Sequence, residues 1–195
     1  MVSKIPDGHK LIARKIANVF GVQRPPVTRY LDDNNTSHID ILCCKNSPQF
    51  GVCSYSTIGL SDHPLLFKGQ EFHARVEIIA CCEEKVLGFE NVLSTISFCI
   101  INSKWFCAPG VIFPGVISMY NLSKTMADIY FSPPFLWGDQ LMTSEIDDKK
   151  IAWLQAIPVS KSESDYAQKY GADKLELLFE QKNINIFDIN RSSVL

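Results

Sequence analysis

Ser61-Asp62-His63 bring together, in three consecutive residues, the side-chain types of a nucleophilic hydrolase. That chemistry requires an imidazole bridging hydroxyl and carboxylate. Adjacent side chains diverge along the backbone, so these three cannot serve one another, and at least one partner would have to come from elsewhere, for example His38 or His73. A turn explains the cluster better: Asp62 bonds local backbone N–H groups, and Pro64 holds His63 extended. Seven cysteines (Cys43, Cys44, Cys53, Cys81, Cys82, Cys99 and Cys107) and four histidines raise Cys/His catalysis as a second route. A reactive thiol needs a cation or helix terminus to depress its pKa. These thiols instead adjoin apolar runs, where burial is the expectation. Zinc sites favour C-x2-C pairs, whereas Cys43-Cys44 and Cys81-Cys82 are contiguous. On a strand, neighbours point to opposite faces, so such a pair cannot easily share a metal. Phosphate-loop, dinucleotide, zinc-protease and G-x-S-x-G motifs are absent from the sequence. No catalytic residue, metal or cofactor is expected.

Charge narrows the partners. The 195 residues carry 19 basic and 21 acidic groups, a formal net charge of −2, which argues against nucleic acid held by counterion release. The basic groups concentrate at the start (Lys4, Lys10, Arg14, Lys15, Arg24 and Arg29 against Asp7 alone) and read as a solvated helix face without interleaved aromatics. The remaining acidic body favours a basic protein partner. Apolar runs are far too short for a bilayer span, and Arg14 and Lys15 interrupt any export signal. The odd cysteine count fits the same picture of a cytoplasmic chain with reduced thiols.

The elements that must position these groups follow from periodicity. Leu11, Ile12, Ile16, Val19 and Phe20 predict a helix over 7–20, capped by Asp7 and closed by Gly21 and Pro25-Pro26. Strands are predicted at 38–43 and 51–60, and at 71–78, where polar and apolar residues alternate as if one face were wet. A helix is expected over 83–101, weakened by Gly88. Pro109 to Gly115 excludes a regular element, and strands follow at 127–131 and 151–159. Ser162-x-x-Asp165 reads as a helix cap, with a helix over 163–170, a break at Gly171, a second helical stripe to Gln181, and a short strand over 184–189. The whole chain, 1–195, reads as one α+β domain: a mainly antiparallel β-sheet covered by helices on one face.

Several segments together resemble the Suppressor-of-fused domain family. They are Gly59-Leu60-Ser61-Asp62 after a strand, Trp153-Leu154-Gln155-Ala156-Ile157-Pro158, Tyr170-Gly171-Ala172, Leu175 to Phe179, and Phe187 to Val194. The likeness runs from Tyr30 onward, is strongest over 151–195, and covers only the N-terminal domain of eukaryotic members, as in the bacterial single-domain branch. The resemblance implies that fold and a non-catalytic binding role. Bacterial members are immunity proteins or antitoxins that neutralise a cognate toxin, often an LXG-type polymorphic toxin with a nuclease end. Eukaryotic relatives bind a transcription-factor peptide by strand addition, so a peptide-binding scaffold is the alternative, with a hydrolase behind both. Expected toxin contacts are Asp62 and His63 in one loop and Trp137 and Asp139 in Phe135-Leu136-Trp137-Gly138-Asp139, because recognition concentrates in polar and aromatic loops. Each could equally support a turn or pack a core.

Overall fold

The computed structural model describes residues 5–195, so Lys4 of the basic opening lies outside the described residues. The first helix, α1 (Asp7–Val19), buries Ile12 and Ile16 and ends at Phe20. Its N-cap is Pro6, not Asp7. Asp7 lies in the first turn, where its carboxylate favours the positive end of the helix dipole and accepts a 2.8 Å bond from Lys10. Leu11, expected on the apolar stripe, is exposed instead.

Six strands follow: β1 (Val27–Leu31), β2 (His38–Lys45), β3 (Val52–Ile58), the small hairpin β4 (Leu66–Phe67) and β5 (Gln70–Glu71), and β6 (Arg75–Glu83). Strand β1 was not foreseen; it is largely exposed and carries no alternation to read. After β6 come α2 (Phe89–Ile101), β7 (Ile112–Phe113), β8 (Met126–Ser132), β9 (Ser144–Ile146), β10 (Lys149–Ser160), α3 (Lys161–Tyr170) and α4 (Ala172–Lys182). Helix α2 starts later than expected because β6 continues through Glu83. Gly88, read as a weakness within the helix, is its N-cap at φ +83°. The segment expected to lack regular structure contains β7, whose Ile112 pairs with Tyr130 of β8.

The main sheet has eight strands in the order β1-β2-β3-β6-β10-β8-β7, with β9 also paired to β10. Every pairing is antiparallel except β6 with β10, where Glu77 faces Trp153 in parallel register. The expected α+β class with a mainly antiparallel sheet therefore holds, but the helices divide between the two faces. Val76, Ile78, Ala80 and Cys82 of β6 pack with Phe89, Val92 and Ile96 of α2. Ile79 and Cys81 point the other way and pack with Ile12, Ile16 and Trp153 beneath α1. Farther along that second face, Ile157 and Val159 meet Leu175 and Phe179 of α4. Of the wet face expected over 71–78, Glu71 and His73 are exposed but lie before β6, which begins at Arg75. The two-sided cover corrects the rest, since every interior position of β6 is buried, Glu77 included.

The C-terminal cap lies two residues before the expected Ser162–Asp165. Ser160 Oγ accepts from the Glu163 N–H at 3.1 Å, and Glu163 Oε2 accepts from the Ser160 N–H at 2.9 Å. Asp165 pairs with Lys161 instead. Gly171, at φ +100°, separates α3 from α4 as expected. Residues 184–189 form turns rather than a strand, tied down by Phe187 O accepting from the Glu83 N–H and Ile189 O accepting from Ser123 Oγ. Arg191 then enters the interior and clamps Glu163 with two bonds of 2.7 and 2.9 Å.

Candidate interaction site

The loop leaving β3 is built around a buried carboxylate. Gly59 turns at φ +92°, and residues Leu60–Asp62 make a single 3-10 turn. Beneath it, Glu77 Oε1 accepts from the Gly59 N–H (3.0 Å), the Ser61 N–H (3.1 Å) and Ser61 Oγ (2.7 Å). Thr57 Oγ1 donates to Glu77 Oε2 at 2.5 Å and accepts from the Ile78 N–H at 2.8 Å. Burial pushes the Glu77 carboxyl above its ordinary range, and the four donated bonds oppose that shift. Gly59 is needed for space as well as for its positive φ: a Cβ there would stand 2.6 Å from the His9 ring.

This arrangement aims Asp62 outward, onto α1 and β10. His9 Nε2 lies 2.7 Å from Asp62 Oδ2, and Lys149 Nζ donates to Oδ1. Partial burial raises the Asp62 carboxyl, but the bonds from Lys149 and His9 outweigh it and hold the group below its ordinary value. His63 is extended before Pro64, as expected, and half-buried. Burial lowers its imidazole pKa, with Lys104, His38 and Arg75 adding to the effect and Asp62 opposing it. Ser61 is only 1% exposed and its hydroxyl is committed to Glu77, so no substrate carbonyl can reach it. The imidazole beside Asp62 belongs to His9, not to His38 or His73.

The second predicted loop forms a 3-10 segment, Phe135–Leu141. Trp137, 5% exposed, packs on Phe20 with ring centroids 5.2 Å apart, so its place is the core beneath α1. Asp139 is exposed on the same segment. Both predicted loops thus lean on α1, one through His9 and the other through Phe20, and they leave Asp62 and Asp139 accessible and Trp137 covered. Sequence reasoning missed His9, Lys149 and Glu77. Neither His9 nor Lys149 is near Asp62 in the chain, and Glu77 sat in an alternation that suggested solvent. The basic opening is also less solvated than expected: Lys15 lies 4.8 Å over the Trp153 ring and bonds Ser144.

The seven cysteines are free, five of them buried and Cys43 and Cys99 half-buried. Contiguous pairs do split between faces: Cys82 belongs to the α2 side and Cys81 to the α1 side. Burial, with neighbouring thiols adding to it, pushes Cys43 up to about 12. Among the described residues, no group of three or more His, Cys, Asp or Glu side chains could hold a metal ion. Nor is any helix there long and apolar enough to cross a membrane.

Comparison with known proteins places these features in a lineage. The chain is 48% identical over 191 residues to immunity protein YqcF of Bacillus subtilis (strain 168), covering 98% of this chain and 99% of that protein. Solved structures share the fold at low identity. A protein of Neisseria gonorrhoeae FA 1090 described as a Suppressor-of-fused homologue superposes with a TM-score of 0.67 at 13% identity, covering 97% of both chains. A chain of the Sufu-Fu complex gives 0.69 at 16% identity, covering 98% of this chain and 93% of that one. Drosophila Suppressor of Fused gives 0.66 at 14%, with 97% of this chain matching 51% of the larger one. The sequence profile of the Suppressor of fused protein (SUFU) family matches residues 35–192, from just before β2 through the Arg191 clamp, and the chain belongs to that family.

Proposed function

We propose that this chain is an immunity protein that binds a cognate toxin in the cytoplasm and neutralises it without turnover. The observation that carries this reading is the 48% identity, over nearly the full length of both chains, to a Bacillus subtilis immunity protein. The geometry supports it. Ser61 is withdrawn from chemistry into a support for its loop, while Asp62, with 41% of its side chain exposed, and Asp139 remain accessible. The toxin in this reading is of LXG type with a nuclease end. Occlusion requires only that carboxylates cover the basic groove in which such an enzyme binds phosphate. Asp62, His63 and Asp139 are the proposed contacts, with Trp137 holding the second loop from below.

Co-expression with the toxin encoded beside the gene tests the reading. Cells should survive with the wild-type chain and die with the toxin alone. Continued death despite abundant folded protein would overturn it.

A second reading is peptide binding by strand addition, favoured by β1. This strand pairs with β2 on one side only and exposes Val27 and Leu31. Proline substitutions along β1 that abolish partner binding without loss of stability would support it over loop-mediated contact.

A further inference from the structure

A groove of about 430 Å³ lies between α4 and the end of β8, away from the Asp62 loop. Phe179 of α4 packs toward the sheet, and the chain reverses after the helix at Asn183, which adopts a left-handed conformation at φ +45°. The returning segment brings Ile184 and Ile186 alongside, leaving a trough that also includes Ile157 and Phe135. Phe135 is 55% exposed, so this apolar surface continues out to solvent.

The charge at this trough has one sign. Glu176 and Glu180 line it, and no Lys or Arg does. Asp173, Glu176 and Glu180 recur at helical spacing, so the three carboxylates share one side of α4. Glu176 Oε1 accepts from Tyr130 OH at 2.7 Å, which fixes one carboxylate at the rim. Among the described residues, no hydrogen bond or ion pair engages the Glu180 carboxylate. Some surface carboxylates meet cations of the same chain, as in Lys45–Glu84, Lys161–Asp165 and Arg29–Asp40, but no cation lines this trough. An apolar trough whose only charges are unneutralised carboxylates complements an apolar side chain flanked by cations.

We propose that this groove seats a basic amphipathic segment of a partner polypeptide, with aliphatic or aromatic side chains in the trough and Lys or Arg against Glu176 and Glu180. The identity of that partner as the toxin rests on the immunity reading above, whereas the recognition chemistry does not.

Three isoleucines in the groove make the test direct. The full chain, labelled with 13C at isoleucine δ1 methyls, is titrated with a short amphipathic peptide of lysine, leucine and phenylalanine. A counterpart carrying glutamate for lysine serves as the control. Saturable shifts are expected at Ile157, Ile184 and Ile186 with the lysine peptide only, while Ile12, Ile16 and Ile39 stay unmoved. Glu180→Lys should weaken the lysine peptide about tenfold, and Glu180→Gln by a smaller factor, since rim charges act mainly by complementarity. Silent groove methyls, or equal response to both peptides, would overturn the proposal. A chain that neutralises its toxin while these methyls stay silent defeats the groove alone. Responsive methyls in a chain that fails to neutralise defeat the immunity reading alone.

Discussion

Ser61 Oγ donates to Glu77 Oε1 across 2.7 Å, joining the tip of the β3 loop to a carboxylate with no exposed surface. The bond explains how a solvent-facing motif and a hidden acid form one unit: Glu77 shapes the turn, and the turn presents Asp62.

Glu77 therefore has a specific pH signature. Its folded pKa is raised, so the native state holds the proton more tightly than the unfolded state. Stability from this group is complete below the ordinary glutamate value and is lost as pH rises toward the folded value. Glu77→Gln keeps an accepting oxygen for the Gly59 and Ser61 bonds, replaces the bond accepted from Thr57 with an amide donor, and should remove this slope. Chemical denaturation of both proteins at pH 5 and pH 8 checks it: the variant should gain on the wild type at the higher pH. Glu77→Ala should destabilise at both by about 2–4 kcal/mol, since it orphans buried donors.

Gly59→Ala forces a Cβ into the His9 ring at positive φ, and a loss of about 1–3 kcal/mol is expected. Combining it with His9→Ala opens the space but not the backbone strain. The double variant should therefore lose less than the sum of the two singles in a thermal melt.

Arg191 and Glu163 are both buried, and the Arg191 guanidinium also donates to Pro158 O and lies 5.2 Å from the Phe179 ring. Arg191→Leu leaves Glu163 charged and unmatched, for an expected loss of about 3–5 kcal/mol, and adding Glu163→Gln should recover part of it. Burial raises the Glu163 carboxyl, but Arg191 and the Ser160 and Val194 N–H groups outweigh that and hold it below its ordinary value. Its contribution is thus present above the unfolded value and fades as pH falls through the folded one. The Arg191→Leu melting curves should lack that acid limb.

Contact and core roles separate cleanly in the two α1-side loops. Asp62→Asn and Asp139→Asn should change stability by about 1 kcal/mol or less, because both side chains are substantially exposed, yet should weaken toxin binding. Trp137→Ala should do the reverse in proportion, with a loss of about 3–5 kcal/mol. Isothermal titration against the toxin, paired with melts, distinguishes the two.

Thiol chemistry gives an independent check on the non-catalytic reading. With Cys43 pushed up to about 12 and the other thiols raised by burial, iodoacetamide at pH 8 should label the native chain slowly and all seven sites once it is denatured. One rapidly labelled cysteine would reopen a nucleophilic role.

The helical repeat of α1 and the apolar content of β2, β3, β8 and β10 made those elements readable, although β3, β8 and β10 are buried almost continuously rather than at every second residue. Such patterns failed where burial is set by distant neighbours. Glu77 looked wet because alternation says nothing about a second layer covering the far face. Strand β1 carries too little burial to leave a pattern, and the cap at Ser160 was hidden by β10 running straight into α3. In the site, the turn at Asp62 was legible, but its carboxylate bonds His9 and Lys149 rather than the local backbone N–H groups expected, and Glu77 takes those of Gly59 and Ser61. The partners of Asp62 were not legible, because His9 and Lys149 lie 53 and 87 positions away. Trp137 illustrates the opposite difficulty: a tryptophan among polar neighbours looks like an anchor whether it faces solvent or Phe20.

The lone parallel seam, β6 against β10, dictates an order of assembly. The hairpin ladder β1-β2-β3 closes over short stretches of chain, but Glu77 cannot meet Trp153 until α2, β7, β8 and β9 have been threaded between them. Closing so long an excursion is entropically late. During refolding, Glu77 and its donors stay hydrated until β10 arrives, and pulse-labelled amides of β2 and β3 gain protection before those of β10.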